Sequence, residues 1–169
     1  MNKIGLNRIH QQFSLRQCVN TSKEDPIDPA VRVSNMKELA TAVAALGDRV
    51  LGFEFPSNNG KEVEISCLVQ ILDACPNLTK IDFSRSSVND AQVEEICSKL
   101  KTTHVADVSF QYNSLITKAC LNHFSNLPNI RLVDVQKCPR IRSEEAVALM
   151  EKRPDVKVLS EGFLGYEYA

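Results

Sequence analysis

One pattern recurs four times along this chain and limits what it can fold into. An apolar residue is followed by two variable ones, an apolar, one variable, an apolar, two variable, and then a small polar residue or cysteine. It reads VLGFEFPSN at 50–58, LTKIDFSRS at 78–86, VADVSFQYN at 105–113 and IRLVDVQKC at 130–138. The starts, Val50, Leu78, Val105, Ile130 and a degenerate fifth at Val156, lie 28, 27, 25 and 26 residues apart. Self-similarity at so regular a period marks a stacked-repeat architecture. A unit of this length holds one short strand and one helix of about three turns, and neither can bury its apolar face alone. Stacking of successive units completes the core.

The second half of each unit has helical spacing. Val93, Ile96, Cys97 and Leu100, and again Leu121, Phe124 and Leu127, step by three and four residues and so share one helix face. Between strand and helix a further apolar anchor is expected at Val63, Val88, Leu115 or Ile116, and Ile141. Asn89 with Gln92, and Asn35 with Glu38, have the spacing of capping boxes. The column Asn58, Ser86, Asn113 and Cys138 falls where each chain leaves its strand and turns inward. Small hydrogen-bonding side chains there are expected to satisfy buried loop amides of their own and the neighbouring repeat.

The four segments match LxxLxLxxN/CxL position by position, and the chain resembles the leucine-rich repeat family over residues 50–164. The period, the helical second half and the cysteine of IRLVDVQKCPRI resemble the cysteine-containing and ribonuclease-inhibitor-like subclasses. The resemblance implies an α/β, right-handed solenoid with parallel strands on the concave face and helices on the convex face. The stretch from Leu115 to Val158, the small repeat number and the basic N-terminus are also similar to the coupling factor B (subunit s) group of mitochondrial ATP synthase proteins and related respiratory assembly factors. That similarity implies association with a respiratory complex.

The expected organisation follows the pattern. Residues 1–29 form a basic arm and a Pro-containing linker, 30–49 an N-terminal cap helix, 50–155 four repeats, and 156–169 a degenerate repeat with a C-terminal cap. Residues 1–23 hold Lys3, Arg8, Arg16 and Lys23 and no acid, which makes this segment either a transit peptide or a binding arm. The remainder carries 16 basic and 21 acidic residues, so the whole chain has a formal charge of -1 and no global field to attract nucleic acid or anionic lipid. No apolar stretch is long enough to span a bilayer, and residues 1–15 contain no secretory h-region. These features point to an intracellular location, cytoplasmic or mitochondrial. Six cysteines with no CxxC read as small buried hydrophobes.

No catalytic, cofactor-binding or metal-binding residue is expected. His10, His104 and His123 are isolated from one another, with no HExxH. Glu54 and Asp82 fall at equivalent strand positions, as a glycosidase-like pair would, but on an open sheet they read as part of a solvated acidic stripe. A nucleotide-binding sheet would need GxGxxG or GxxxxGK[ST], and neither occurs. Binding of another protein remains, with a small α/β enzyme as the alternative class. The variable strand positions give outward columns Leu51, Thr79, Ala106, Arg131, Lys157; Gly52, Lys80, Asp107, Leu132, Val158; and Glu54, Asp82, Ser109, Asp134, Ser160. Arg85, Tyr112 and Lys137 extend this surface. The partner-binding set is therefore Glu54, Lys80, Asp82, Asp107, Tyr112, Arg131, Asp134 and Lys157. Tyr112 and Arg131 are the expected anchors, because aromatic and arginine side chains dominate interface energetics.

Overall fold

The computed structural model describes the backbone of residues 13–16 and 31–33, and backbone with side chains over 50–55 and 65–161. The expected cap helix within 30–49, the capping pair Asn35 and Glu38, the anchor Val63, the polar position Asn58, Cys18, the rest of the N-terminal arm and the C-terminal cap beyond 161 lie outside these residues.

Five strands run parallel and pair in chain order: β3 (Gly52–Glu54), β4 (Lys80–Asp82), β5 (Asp107–Ser109), β6 (Leu132–Asp134) and β7 (Lys157–Leu159). Each is joined to the next by a helix: α1 (Ile65–Ala74), α2 (Asp90–Leu100), α3 (Lys118–Phe124) and α4 (Ser143–Lys152). Strand and helix alternate at the period of the repeat, giving a leucine-rich-repeat-like stack. Two further strands, β1 (Phe13–Arg16) and β2 (Val31–Val33), extend the sheet antiparallel, in the order β2-β1-β3-β4-β5-β6-β7. The strand at Val31–Val33 falls at the start of the segment 30–49 expected to form the N-terminal cap. The strand at Phe13–Arg16 is not expected from the sequence, because that segment reads as arm. Its Phe-Ser-Leu-Arg alternation has the period of a strand but covers only four residues. Pairing with β3 gives the first parallel strand a neighbour on its N-terminal side.

The middle residue of each parallel strand, Phe53, Ile81, Val108, Val133 or Val158, is buried in one cluster with the helix residues Leu68, Ile71, Val93, Ile96, Cys120 and Leu149. The four described helices thus cover one face of the sheet. The anchor between β5 and α3 is Ile116, fully buried, while Leu115 points to solvent. A column of rings follows the strands: Phe55 stacks on Phe83 at 4.6 Å and Phe83 on Phe110 at 5.2 Å, with Phe53 edge-on to Phe55 and Phe110 tilted against Phe124. Offset ring pairs of this kind add to the area they bury.

The polar column does the job expected of it. Asn113 Nδ2 donates to the carbonyls of Phe83 and Phe110, both at 2.9 Å, and its Oδ1 accepts the Val88 N–H at 3.1 Å. One buried side chain therefore ties two repeats together. Ser86 donates to Phe83 O within its own turn, and Cys138 Sγ donates to Phe110 O of the preceding repeat at 3.1 Å. The capping box at α2 is formed, with Asn89 and Gln92 exchanging bonds of 3.0 and 3.1 Å. The N-cap of α3 is shared with the previous helix: Asp90 accepts from both the N–H and the hydroxyl of Thr117 at 2.7 Å.

The fifth repeat differs from expectation by one residue. Lys157 pairs with Leu132 and Val158 with Val133, so Lys157 belongs to the Lys80 column and not to that of Arg131. Starting the repeat at Val156 would have placed Leu159 in the core, but the alternation of Val156, Val158 and Ser160 prevails and sends these three inward. Ser160 then occupies the place held by Phe55, Phe83, Phe110 and Val135 in the preceding repeats, so the column of large side chains ends there.

Candidate functional site

The register assigns the outward side chains to two rows. One runs Gly52, Lys80, Asp107, Leu132, Lys157, and the other Glu54, Asp82, Ser109, Asp134, Leu159. Six of the expected partner-binding residues, Glu54, Lys80, Asp82, Asp107, Asp134 and Lys157, are thereby brought onto one face, with adjacent strands about 4.8 Å apart. Lys80 and Lys157 are exposed, while Asp107 and Asp82 are half-buried.

Two of the acids shape the turns that leave the strands. Asp82 Oδ1 accepts the Ser84 N–H at 2.8 Å, and Asp134 Oδ1 accepts the Gln136 N–H at 3.0 Å, each a side chain bonding the backbone two residues on. Asp134 Oδ2 also receives Gln111 Nε2 at 2.5 Å, and only 9% of the residue is exposed. Ser109, the exception in this row, bonds Ser84 across the repeats at 2.9 Å. What reads as an acidic stripe in the sequence is in good part the frame of the strand exits.

Tyr112 and Arg131, the expected anchors, come from neighbouring repeats but stand at opposite ends of the strands. Arg131 precedes β6 and aligns with Ala106. Six residues separate that level from Tyr112, up to about 20 Å of extended chain. Arg131 is also engaged: its Nη1 donates to Asp155 Oδ2 at 3.1 Å and to the carbonyls of Ile130 and Pro128. Arg153 holds the same carboxylate and donates to Ser125 O and Leu127 O, just beyond α3. With the Arg153 hydrogen bonds foremost and the two guanidiniums beside it, the Asp155 carboxyl is held down to about 2. Arg131 is thus part of a strut at strand entry. The sequence could not show this, because the strut depends on where Asp155 arrives.

Tyr112 lies past the end of β5, 47% exposed, with a left-handed φ of 59°. Its repeat equivalents Arg85 and Lys137 share that conformation, at 59° and 60°. The Arg85 guanidinium sits 4.5 Å from the Tyr112 ring centroid, within cation–π range. Lys137 pairs with Glu161, and this hydrogen bond and charge raise its pKa. Leu115, in the same loop as Tyr112, is 44% exposed. The sequence carried a signal for it: Ile116 and Ile141 both follow the polar column by three residues, leaving Leu115 at the solvent position.

His104 is exposed in a loop and His123 half-buried on α3. Among the described residues no three His, Cys, Asp or Glu side chains are grouped to hold a metal, and no helix is long and apolar enough to cross a membrane. The described cysteines Cys67, Cys75, Cys97, Cys120 and Cys138 are buried and unbridged. Burial pushes the Cys75 and Cys138 thiols up to about 11, that of Cys97 to about 12, and that of Cys120 higher still. These thiols are expected to resist a water-soluble disulfide reagent at pH 8 in the native protein and to react fully once it is denatured. Because folding raises their pKa, the stability they confer is complete below the unfolded thiol range near pH ~8.5 and is lost as the pH climbs toward 11. Urea midpoints measured from pH 8 to 10.5 should fall accordingly.

No protein-family model matches the sequence, and no curated protein matches it. Solved structures do match. A crystal structure of a TLR13–ssRNA13 complex aligns with TM-score 0.53 at 12% identity, over 74% of this chain and 17% of that one. The tropomodulin C-terminal domain from Caenorhabditis elegans gives 0.52 at 11%, over 79% and 86%. Leiomodin-1 actin-binding site 2 gives 0.54 at 14%, over 80% and 82%. At these identities the likeness concerns the fold, which is leucine-rich-repeat-like.

Proposed function

We propose that this protein is a non-enzymatic protein-binding module: a right-handed leucine-rich-repeat solenoid, capped within 30–49 and 156–169, whose concave sheet face docks a partner protein as part of a larger assembly. The observation that carries this reading is the unbroken register of five parallel strands, which holds Lys80, Asp82, Asp107 and Lys157 on a rigid open array, with Asp134 bonded into the turn beside them. Such a surface suits recognition of a folded protein by fixed, mixed charges. The structural neighbours, one of them named for an actin-binding site, agree with this class. The single-stranded RNA named with TLR13 is a weaker guide, because the outward rows mix carboxylates with ammonium groups. The cysteine-containing subclass is favoured by Cys138, whose thiol takes the asparagine position in the repeat junction. The likeness to ATP synthase coupling factor B draws no support from the comparisons.

The test is affinity capture from the native source with quantitative mass spectrometry. Lys80→Glu combined with Asp107→Lys is expected to deplete the specific partner at least tenfold. Glu94→Lys with Glu95→Lys, on the exposed side of α2, should leave capture unchanged. Retention of every partner by the sheet-face variant would sink the assignment.

A further inference from the structure

The turns that follow the strands form a surface separate from the sheet face, with a different charge. The loops over 83–90, 110–118 and 135–142 contain Arg85, Lys118, Lys137, Arg140 and Arg142 against one carboxylate, Asp90, in a chain with nearly equal numbers of acids and bases. Asp90 is turned toward the backbone and hydroxyl of Thr117. Repeat equivalence orders the strip. Arg85, Tyr112 and Lys137 occupy one column, joined by backbone bonds from Arg85 N to Gln111 O and from Tyr112 N to Gln136 O. Leu115 and Arg140, each two residues past the polar position, occupy a second column beside it. Tyr112 and Leu115 are the two exposed large hydrophobic residues among those described, and both lie in the middle loop with cations on either side. Opposing charge enters from Glu161 on Lys137 and from Glu145 on Arg142, and Glu145 also acts electrostatically on Lys118. Arg85 and Arg140 carry no ion pair among the described residues.

From this juxtaposition we infer that the strand-exit edge docks an acidic segment of a partner protein carrying one or two apolar residues, seated on Tyr112 and Leu115 and flanked by Arg85, Lys118 and Arg140. The inference rests on the reading of the protein as a binding module and adds a second surface with its own specificity. Apolar contact at the centre with charge at the rim is the usual anatomy of a recognition patch. Complementary charge would speed encounter and fix direction along the strip. Single-stranded RNA fits less well: Tyr112 is the one exposed aromatic ring of the described strip, one of its two faces is taken by Arg85, and an aliphatic Leu115 gives no stacking platform.

The experiment is fluorescence anisotropy with the full chain and three labelled peptides: one with acidic residues around a leucine–phenylalanine pair, one with lysines in place of the acids, and one with serines in place of the pair. A uridine oligomer of equal charge is the fourth probe. The acidic apolar peptide is expected to bind with micromolar affinity, at least tenfold tighter than either altered peptide, and to weaken with added salt. Tyr112→Asn with Leu115→Ser, and separately Arg140→Glu with Lys118→Glu, should each lower its affinity tenfold or more. Asparagine suits the left-handed turn, and all four positions are exposed, so circular dichroism and the urea midpoint should not move. Lys80→Glu with Asp107→Lys should leave the peptide bound, which separates this edge from the sheet face. No binding of the acidic peptide below 1 mM, equal binding of the three peptides, unaltered binding by the edge variants, or preference for the uridine oligomer would each overturn the inference.

Discussion

Replacing Asn113 with Ala is expected to cost about 3–5 kcal/mol, among the largest single losses available in this chain, since each buried group left without its partner costs about 1–3 kcal/mol. The side chain is buried and serves two carbonyls and one N–H from two repeats. Its removal leaves the buried Val88 N–H without its partner and takes from Phe83 O and Phe110 O one hydrogen bond each, worth about 1 kcal/mol apiece, while Ser86 and Cys138 still donate to them. Asn113→Asp should fail as well, because a carboxylate cannot donate to the two carbonyls. Cys138→Ser keeps a donor toward Phe110 O and should lose only about 1 kcal/mol, from the smaller and more polar oxygen that replaces buried sulfur. Urea denaturation checks this series. A lower midpoint at unchanged slope for Asn113→Ala is the expected pattern, and a loss no greater than that of Cys138→Ser would refute the role given to the asparagine.

The second large effect is expected at Phe83. Its ring is fully buried between Phe55 and Phe110, so Phe83→Ala opens a cavity with partners on both sides and should cost about 3–5 kcal/mol. Phe83→Leu fills most of that volume and should lose less than half as much. In a stacked-repeat protein each unit contacts only its neighbours, so damage at one junction divides the molecule more than it weakens every part. Amide hydrogen exchange should therefore show lost protection in β3, β4 and β5 of Phe83→Ala, with α4 and β7 close to the parent. Uniform loss across all strands would show that the junctions do not act one by one.

Much of the architecture is legible in the residues, for a physical reason: each repeat states the same strand, turn and helix again, so an ambiguous residue in one is resolved by its equivalents. Val93, Ile96, Cys97 and Leu100 line the core as their spacing requires, and Asn89 caps α2 as its neighbour Gln92 suggests. Where repetition stops, legibility stops. The strand at Phe13–Arg16 exists through its antiparallel pairing with β3 and β2, a long-range contact that four alternating residues do not announce. The register of β7 turns on a single residue in the passage from Arg153 to Asp155, fixed by bonds to Ser125, Leu127 and Arg131. The candidate site divides along the same line. Its rows on the sheet follow from periodicity, whereas the engagement of Arg131 at strand entry and of Asp134 in a turn comes from side chains meeting in space.

The left-handed turns bear on how such a surface can change over time. Arg85, Tyr112 and Lys137 each hold a conformation about 1–2 kcal/mol uphill for a residue with a Cβ, where glycine would rest at little cost. Mutation to glycine at any of the three is therefore cheap for the backbone and removes one side chain from the strip. The same property makes the column an engineering handle, since its side chains can be exchanged for asparagine or glycine one at a time while the stack beneath them stays as it is.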